Sequence, residues 1–311
     1  MIEHFLIITP GSLTTVQDRG RLGHQKLGVP QSGALDAYAS LIANKLVGNS
    51  PEAAVLEMTV TGPAMAVLKE ATLALTGADV ELKVNGRRRE TWTAINVQPG
   101  DYLQIGQVRQ GCRMYLAVSG GFDVPVELGS RSTCTSAGFG GLQGRPLRKG
   151  DFLAAGSDWI AFPATTLPPA MIPSYAPHLV LRCLAGPQDD YFQDPDREFY
   201  AQTFTVSAQA DRRGIRLEGP RVPHSHGAPG GVISEPSLPG NIQIPGDGQP
   251  IIIMVEQTVG GYAKIGTVIS CDLWKLAQAI PGDTVEFVPV DFQTARALCS
   301  EQQNQLQSCL S

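Results

Sequence analysis

Between Gln17 and Asp36 the chain reads QDRGRLGHQKLGVPQSGALD, which packs Asp18, Arg19, Arg21, His24 and Lys26 into one glycine-punctuated segment. A strand core does not tolerate that charge density, and glycines at 20, 23 and 28 mark a backbone that turns or is approached closely. Fixed charges delivered onto a helix N-terminus suit an anion or carboxylate. They equally suit a loop in which Asp18 pairs with Arg19 while Asp36 complements the helix dipole. Arginine's planar fork matches carboxylate and phosphate, so Arg19 and Arg131, the latter in the loop GSRST, are candidate anion contacts or structural ion pairs. Ser130, Ser132 and Thr133 either donate to the same anion or cap the turn. Asp18 and Asp36 are candidate acids or metal-ion contacts, with structural hydrogen bonding the alternative. Late in the chain, Gln243, Gln257 and Tyr262 lie in turns beside apolar strands, where polar tips commonly converge on a pocket. Core-edge hydrogen bonding is the alternative for these three. Gly261, before that tyrosine, and Lys264, after it, are candidate substrate or anion contacts, with a catalytic role or an exposed strand position the readings for the lysine.

Several chemistries have no anchor. There is no Walker A sequence, and AGFGGLQG misses Gly-x-Gly-x-x-Gly because Gln143 stands in the third glycine's place. No Gly-x-Ser-x-Gly elbow is present. His224-Ser225-His226 lacks a third nearby ligand, so no metal site is expected. Without a Met-Lys-Met sequence, the chain does not itself carry biotin.

The elements that position these residues are mostly strands. Hydrophobic residues make up 42% of 311 and charged residues 17%, with 34 glycines and 23 prolines, which favours short strands and many turns. A net charge of −5 gives no electrostatic footprint for nucleic acid or an anionic membrane. No apolar run has the length of a bilayer span. The start, MIEHFLIITPGS, reads as a first strand and not as a signal peptide. Six scattered cysteines (112, 134, 183, 271, 299 and 309) without a Cys-x-x-Cys pair indicate reduced thiols in a cytoplasmic protein.

After Pro30, Leu35, Tyr38, Leu41, Ile42 and Leu46 recur at helical spacing. Gly33 is expected as N-cap with Asp36 in the first turn, and Gly48 as the stop. Asn85-Gly86 predicts a two-residue hairpin with the polar return strand Arg87 to Arg89. Three Gly-Asp turns (Gly100-Asp101, Gly150-Asp151 and Gly282-Asp283) open strands and hint at two similar β units. The spacing also predicts a polar helical patch around 189 to 200, a short helix capped by Asp272, and an amphipathic helix after Asp291. FPATTLPPAMIPSYAP reads as a linker. The expected fold is mainly β, with domains over 1–164 and 178–311, a linker over 165–177 and a few short helices.

Taken in order, QDRGRLGHQKLGVPQSGALD, LAVSGGFDVPVELGSRST, GGLQGRPLRKGD, RRGIRLEG and GNIQIPGDGQPIIIMVEQTVGGYAKIGTVISCDLWKLAQAIPGD resemble the KipA-like, or allophanate hydrolase subunit 2, family over about residues 5–290. Glu256-Gln257-Thr258 departs from an Asp-Ala-Gln-Thr-like segment common in that family, which leaves the substrate more open. The resemblance implies two tandem cyclophilin-like β-barrels. It implies the C subunit of a bacterial ATP-dependent 5-oxoprolinase, opening 5-oxo-L-proline to L-glutamate with a KipI-like B subunit and a LamB/YcsF-like A subunit. ATP would then be shared at the level of the complex. A carboxyltransferase component of a biotin-dependent urea-type carboxylase, and a non-catalytic regulator of a KipI-like protein, are the alternatives. Lactam opening of this kind needs positive charge for phosphate, donors for the developing oxyanion and a carboxylate for proton transfer. The charged turn and the Gly-Gly-Tyr turn are expected to serve one cleft completed by another protein.

Overall fold

The computed structural model describes residues 3–156 and 165–308; the expected domain limit at 164 and Cys309 lie outside the described residues. The chain divides into two units, Met1–Leu22 with Ser32–Tyr175, and Gly23–Gln31 with Ala176–Ser311.

In the first unit, short apolar or alternating runs form β1 (Glu3–Thr9), β2 (Leu13–Gln17), β3 (Val55–Thr59), β4 (Ala64–Val67), β5 (Ala71–Val84), β6 (Arg87–Arg89), β7 (Ala94–Val97), β8 (Tyr102–Val118) and β9 (Phe152–Ala154). The hydrogen-bonded path runs β2-β3-β8-β4-β1-β9, and β5 joins β8 while also carrying β6 and β7. Asn85 and Gly86 both take positive φ (52° and 75°), as the predicted two-residue turn requires. Three exposed arginines on β6, which among the described residues pairs only with β5, keep that edge from recruiting another strand. Where β5 bulges against β8, Gly77 sits at φ +91°, and a Cβ there would lie 2.4 Å from the Arg113 carbonyl oxygen, so the bulge requires glycine. Phe5, Ile7, Val16, Leu56, Met58, Met114 and Leu116 fill the core. Burying each of these side chains is worth about 1.5–3 kcal/mol.

Helix α1 (Ala37–Leu46) turns Ala39, Ile42, Ala43 and Leu46 inward. It begins three residues later than the sequence suggested. Asp36 is itself the N-cap and accepts the Ala39 N–H at 2.9 Å, a bond glycine cannot offer, while Gly33 donates its N–H to Gln17 Oε1. Gly48 ends the helix at φ +73° as expected. The prolines after residue 164 do not make a linker. The Leu167 N–H bonds Trp92 O, the Ala94 N–H bonds Thr165 O, and Tyr38 Oη bonds Met171 O, so the first unit extends to Tyr175.

The second unit contains β10 (His178–Ala185), β11 (Thr203–Ala210), β12 (Gly214–Glu218), β13 (Glu235–Pro236), β14 (Asn241–Ile244), β15 (Ile251–Ile253), β16 (Val259–Gly260), β17 (Ala263–Val268) and β18 (Thr284–Pro289). Seven of these close a barrel in the order β10-β17-β14-β15-β12-β11-β18, while β13 and β16 form a separate ribbon. Along β10, Leu179, Leu181 and Cys183 point inward and alternate with more exposed residues. Phe199 stacks on Phe287 at 4.5 Å and lies 5.7 Å from Phe204. The polar patch predicted over 189–200 is two short helical turns, Asp189–Tyr191 and Asp196–Tyr200. Asp272 precedes α2 (Leu273–Ala277) without capping it, because its carboxylate is taken by Arg182 and Lys275. Helix α3 (Phe292–Ser308) follows β18. The mainly β, two-unit architecture with few helices therefore stands, with one unit closed and the other's path open.

The three Gly-Asp turns are one structure used three times. In each, the Asp carboxylate accepts the N–H of the residue three before it (Gln98, Arg148 and Ile280, at 2.8, 2.7 and 2.9 Å). In each, the glycine takes φ near +90° and gives its N–H to a neighbouring strand, at Val67, Ile7 and Val206. Arg145 adds a two-pronged pair to Asp151 at 2.7 and 2.9 Å, and this pair, against the opposing effect of burial, holds the carboxyl below its usual range. The Asp151→Asn variant is expected to lose about 1–2 kcal/mol at neutral pH. A depressed folded pKa contributes stability above the unfolded value of about 3.9, and that stability is lost as pH falls through the folded value. Urea midpoints of the two proteins should therefore converge in acid; a gap that persists there contradicts the assignment.

Candidate functional site

Asp18, at the end of β2, is nearly buried, and its carboxylate accepts four donors: Ser130 Oγ at 2.6 Å, Ser132 Oγ at 2.5 Å, Gly20 N at 2.8 Å and Arg131 N at 2.5 Å. The Asp18 N–H returns to Ser132 Oγ at 2.9 Å. Thr133 continues the seam, its N–H and Oγ1–H both directed at Val16 O, while Gln17 Nε2 donates to Thr133 O. Asp18, Ser130, Ser132, Thr133 and the Arg131 backbone are thus brought together, with Asp18 as acceptor for the whole loop.

The two arginines are elsewhere. Arg19 does not pair with Asp18; it reaches Glu52 at 2.8 Å, with both side chains about 60% exposed (63% and 60%). The Arg131 side chain donates to Val124 O at 3.0 Å and meets Asp123 at 3.4 Å. Arg21, which sequence reasoning noted only as a charge, is fully buried: Nε donates to Glu127 O, Nη2 to Ser132 O, and the guanidinium lies 4.5 Å from the Phe139 ring centroid. Gly140 permits this approach, since a Cβ there would lie 2.1 Å from Ser132 O and 2.5 Å from Arg21 Nη2.

Asp36 lies in a second buried network of the same unit. Its N–H donates to Tyr115 Oη at 2.8 Å, Tyr115 donates to Glu57 Oε2 at 2.8 Å, and the Leu35 N–H meets the same oxygen. Arg113 flanks Glu57 at 3.9 Å, and Tyr175 donates to Asp36 Oδ2 at 3.4 Å. Burial first, and then the neighbouring carboxylates, push both phenols well above their usual range, so they remain donors. The signal for this network was present as a glutamate inside the apolar strand AVLEMTV.

In the second unit, Gln243 on β14 donates to Ser237 Oγ at 3.2 Å, and Gly260 lies so close that a Cβ there would be 2.1 Å from Gln243 Nε2. Lys264 is not the exposed strand lysine its sequence setting suggested. It is 4% exposed, its Nζ is bonded to Glu235, and its N–H donates to Gln188 Oε1. The lysine holds the Glu235 carboxyl below its usual range. Glu235 pairs with Gly260 across the β13–β16 ribbon, which brings Lys264 and Gln243 beneath the Gly-Gly-Tyr turn. Gly261 accepts the Val232 N–H, Gln257 Nε2 donates to Val259 O at 2.6 Å, and Tyr262 is exposed. Glu256, next to Gln257 in sequence, is sealed in a buried pair with Arg212 at 2.6 Å.

Among the described residues, no group of three His, Cys, Asp or Glu could hold a metal ion, and no helix is long and apolar enough to cross a membrane. His224 packs on Phe192 at 4.8 Å. The Asp18→Ala variant strands two backbone N–H groups and two hydroxyls and is expected to cost about 3 kcal/mol or more. Arg19→Ala breaks only an exposed pair and is expected to stay within about 0.5 kcal/mol. Urea midpoints check both, and equal losses would contradict this account of the loop.

The arrangement has relatives. An E. coli (strain K12) protein, named as the C subunit of 5-oxoprolinase, is 35% identical over 96% of this chain and 94% of its own length. A urea amidolyase of Lachancea kluyveri is 36% identical over 96% of this chain but 17% of its own length. The crystal structure of the K. lactis urea amidolyase superposes with a TM-score of 0.91 at 32% identity, over 99% of this chain and 20% of that one. The chain therefore spans about a sixth of the urea amidolyases it matches. Residues 27–289 match the model of the carboxyltransferase domain, subdomain A and B, and the chain belongs to that family.

Proposed function

We propose that this chain is the C subunit of an ATP-dependent 5-oxoprolinase, acting in the cytoplasm with a KipI-like B subunit and a LamB/YcsF-like A subunit to open 5-oxo-L-proline to L-glutamate. The observation that carries this reading is two-way coverage. The chain accounts for 94% of the E. coli 5-oxoprolinase C subunit and 93% of its Haemophilus influenzae counterpart, at 35% and 31% identity. The urea amidolyase matches support a second reading, a carboxyltransferase component of a biotin-dependent urea-type carboxylase. There the chain accounts for only 17% of the relative, so a domain's role is carried over and not a protein's.

A lactam resists water because its amide is resonance-stabilised and its nitrogen leaves poorly. Activation of the amide oxygen by phosphate from ATP makes the ring carbon open to attack, with ATP as a co-substrate shared among the partner proteins. Biotin is not attached to this chain in either reading. Arg19 supports anion binding, since its exposed pair with Glu52 costs little to exchange. Arg131 supports the same role less directly, because Val124 and Asp123 already occupy its side chain. The buried ammonium of Lys264, set beside Gln243 and the exposed Tyr262, supports a role opposite a developing oxyanion.

Purified with its KipI-like and LamB-like partners, the chain is expected to release glutamate from 5-oxoproline only when ATP is present, and to release none alone. Activity from the chain alone would contradict the proposal. Avidin-sensitive, bicarbonate-dependent carboxylation of urea would favour the second reading. Within the active complex, Lys264→Met is expected to lower kcat at least about tenfold, roughly 1.4 kcal/mol. Glu235 is half exposed and can be rehydrated, so the variant should stay folded by circular dichroism; a folded variant with unchanged kcat would remove Lys264 from the site.

A further inference from the structure

None of the five described cysteines is in a disulfide, and two of them, Cys271 and Cys299, pack in one cluster at the junction between α3 and the barrel. Cys271 lies in the turn Ser270–Asp272 ahead of α2 and is 6% exposed, whereas Cys299 on α3 is only half-buried. Ser270 Oγ lies 3.3 Å from Cys299 Sγ, and Cys299 packs against the cluster formed by Ile269, Cys271 and Ala295. Arg182 Nη2 lies 3.8 Å from Cys271 Sγ. One turn along α3 from Cys299, Gln302 Nε2 donates to Cys271 O at 3.2 Å, while Ala295, one turn before it, packs with Ile269 and Cys271. The helix is thereby held with its Cys299 face on the turn.

We propose that Cys299 and Cys271 form a reversible peroxide-responsive pair whose disulfide ties α3 to the barrel. The environment divides the two roles. Burial acts to raise the Cys299 thiol, but the donors Ser270 and Cys271 together with the Arg182 charge outweigh it and hold that thiol below its usual range. Cys271 is pushed up to about 12, by burial first and then by Cys299 and Asp272, so it keeps its proton. Cys299 thiolate attacks one oxygen of hydrogen peroxide, giving a sulfenic acid and hydroxide. Cys271 sulfur then attacks the Cys299 sulfur; the S–O bond breaks, and the Cys271 proton leaves with the hydroxyl as water. A dithiol reductant returns both cysteines to thiols by exchange and is itself oxidised to a disulfide. The remaining described cysteines, Cys112, Cys134 and Cys183, are buried and provide internal controls.

The test uses the full chain carrying Cys309→Ser, so that this cysteine offers no alternative partner, treated with a slight excess of hydrogen peroxide. Peptide mapping is expected to find Cys271 joined to Cys299, with an intact mass lower by about 2 Da that dithiothreitol restores. The cross-link closes the loop between the two residues, so the melting temperature is expected to rise by a few degrees. With Cys271→Ser, dimedone should trap a sulfenic acid on Cys299; with Cys299→Ser, or Cys299→Ala should the serine variant not fold, neither product should form. Oxidation confined to other cysteines, undiminished oxidation of Cys271 when Cys299 is replaced, or a lowered melting temperature of the cross-linked protein would each overturn the proposal.

Discussion

A carboxylate removed from water must recover from the protein the hydrogen bonds it gives up, and Asp18 recovers them from a loop more than a hundred residues away in sequence. Two hydroxyls and two backbone N–H groups converge on it, and the Asp18 N–H donates back to one of the same serines. Because three of these four donors come from residues 130 to 132, the end of β2 and the segment from Ser130 to Thr133 have one mutual placement. The neighbouring glycine-rich run follows from that placement: Arg21 passes over Phe139 to reach Ser132 O, and only a glycine at 140 leaves it room.

The same logic governs the start of α1. Asp36 caps the helix, and its N–H joins a chain through Tyr115 to Glu57 that ends beside Arg113. Buried acids are tolerated here because backbone N–H groups and phenols, pushed by burial to keep their protons, serve them. These saturated groups fix the scaffold. The charges left near water, above all Arg19 with Glu52, are the ones able to exchange partners at low cost.

The second unit solves a different problem. Lys264 on β17 pairs with Gln243 on the face opposite Ile242, and it is buried because the short ribbon covers it, with Glu235 supplying the neutralising charge. Gln243 then approaches Gly260 so closely that no side chain fits there, which gives the Gly-Gly-Tyr turn its composition. Tyr262, by contrast, stays exposed at the end of the turn.

Local chemistry alone determined a good deal. The Asn85-Gly86 hairpin, the stop of α1 at Gly48, the Gly-Asp turns, the tail helix and the mainly β character all follow from φ preferences, periodicity and spacing within a few residues. The long ordered motifs likewise carried the family. Partnerships were another matter. Asp18 next to Arg19 looked like an ion pair, but the chain bends after β2, with Asp18 turned to the serines and Arg19 to Glu52. The stretch up to Tyr175 read as a linker until Trp92, Ala94 and Tyr38 bonded it, and Lys264 read as exposed until Glu235 and its ribbon covered it. Which residue is buried, and which acceptor satisfies it, depends on segments that meet only after folding, and so only the tertiary structure decided them.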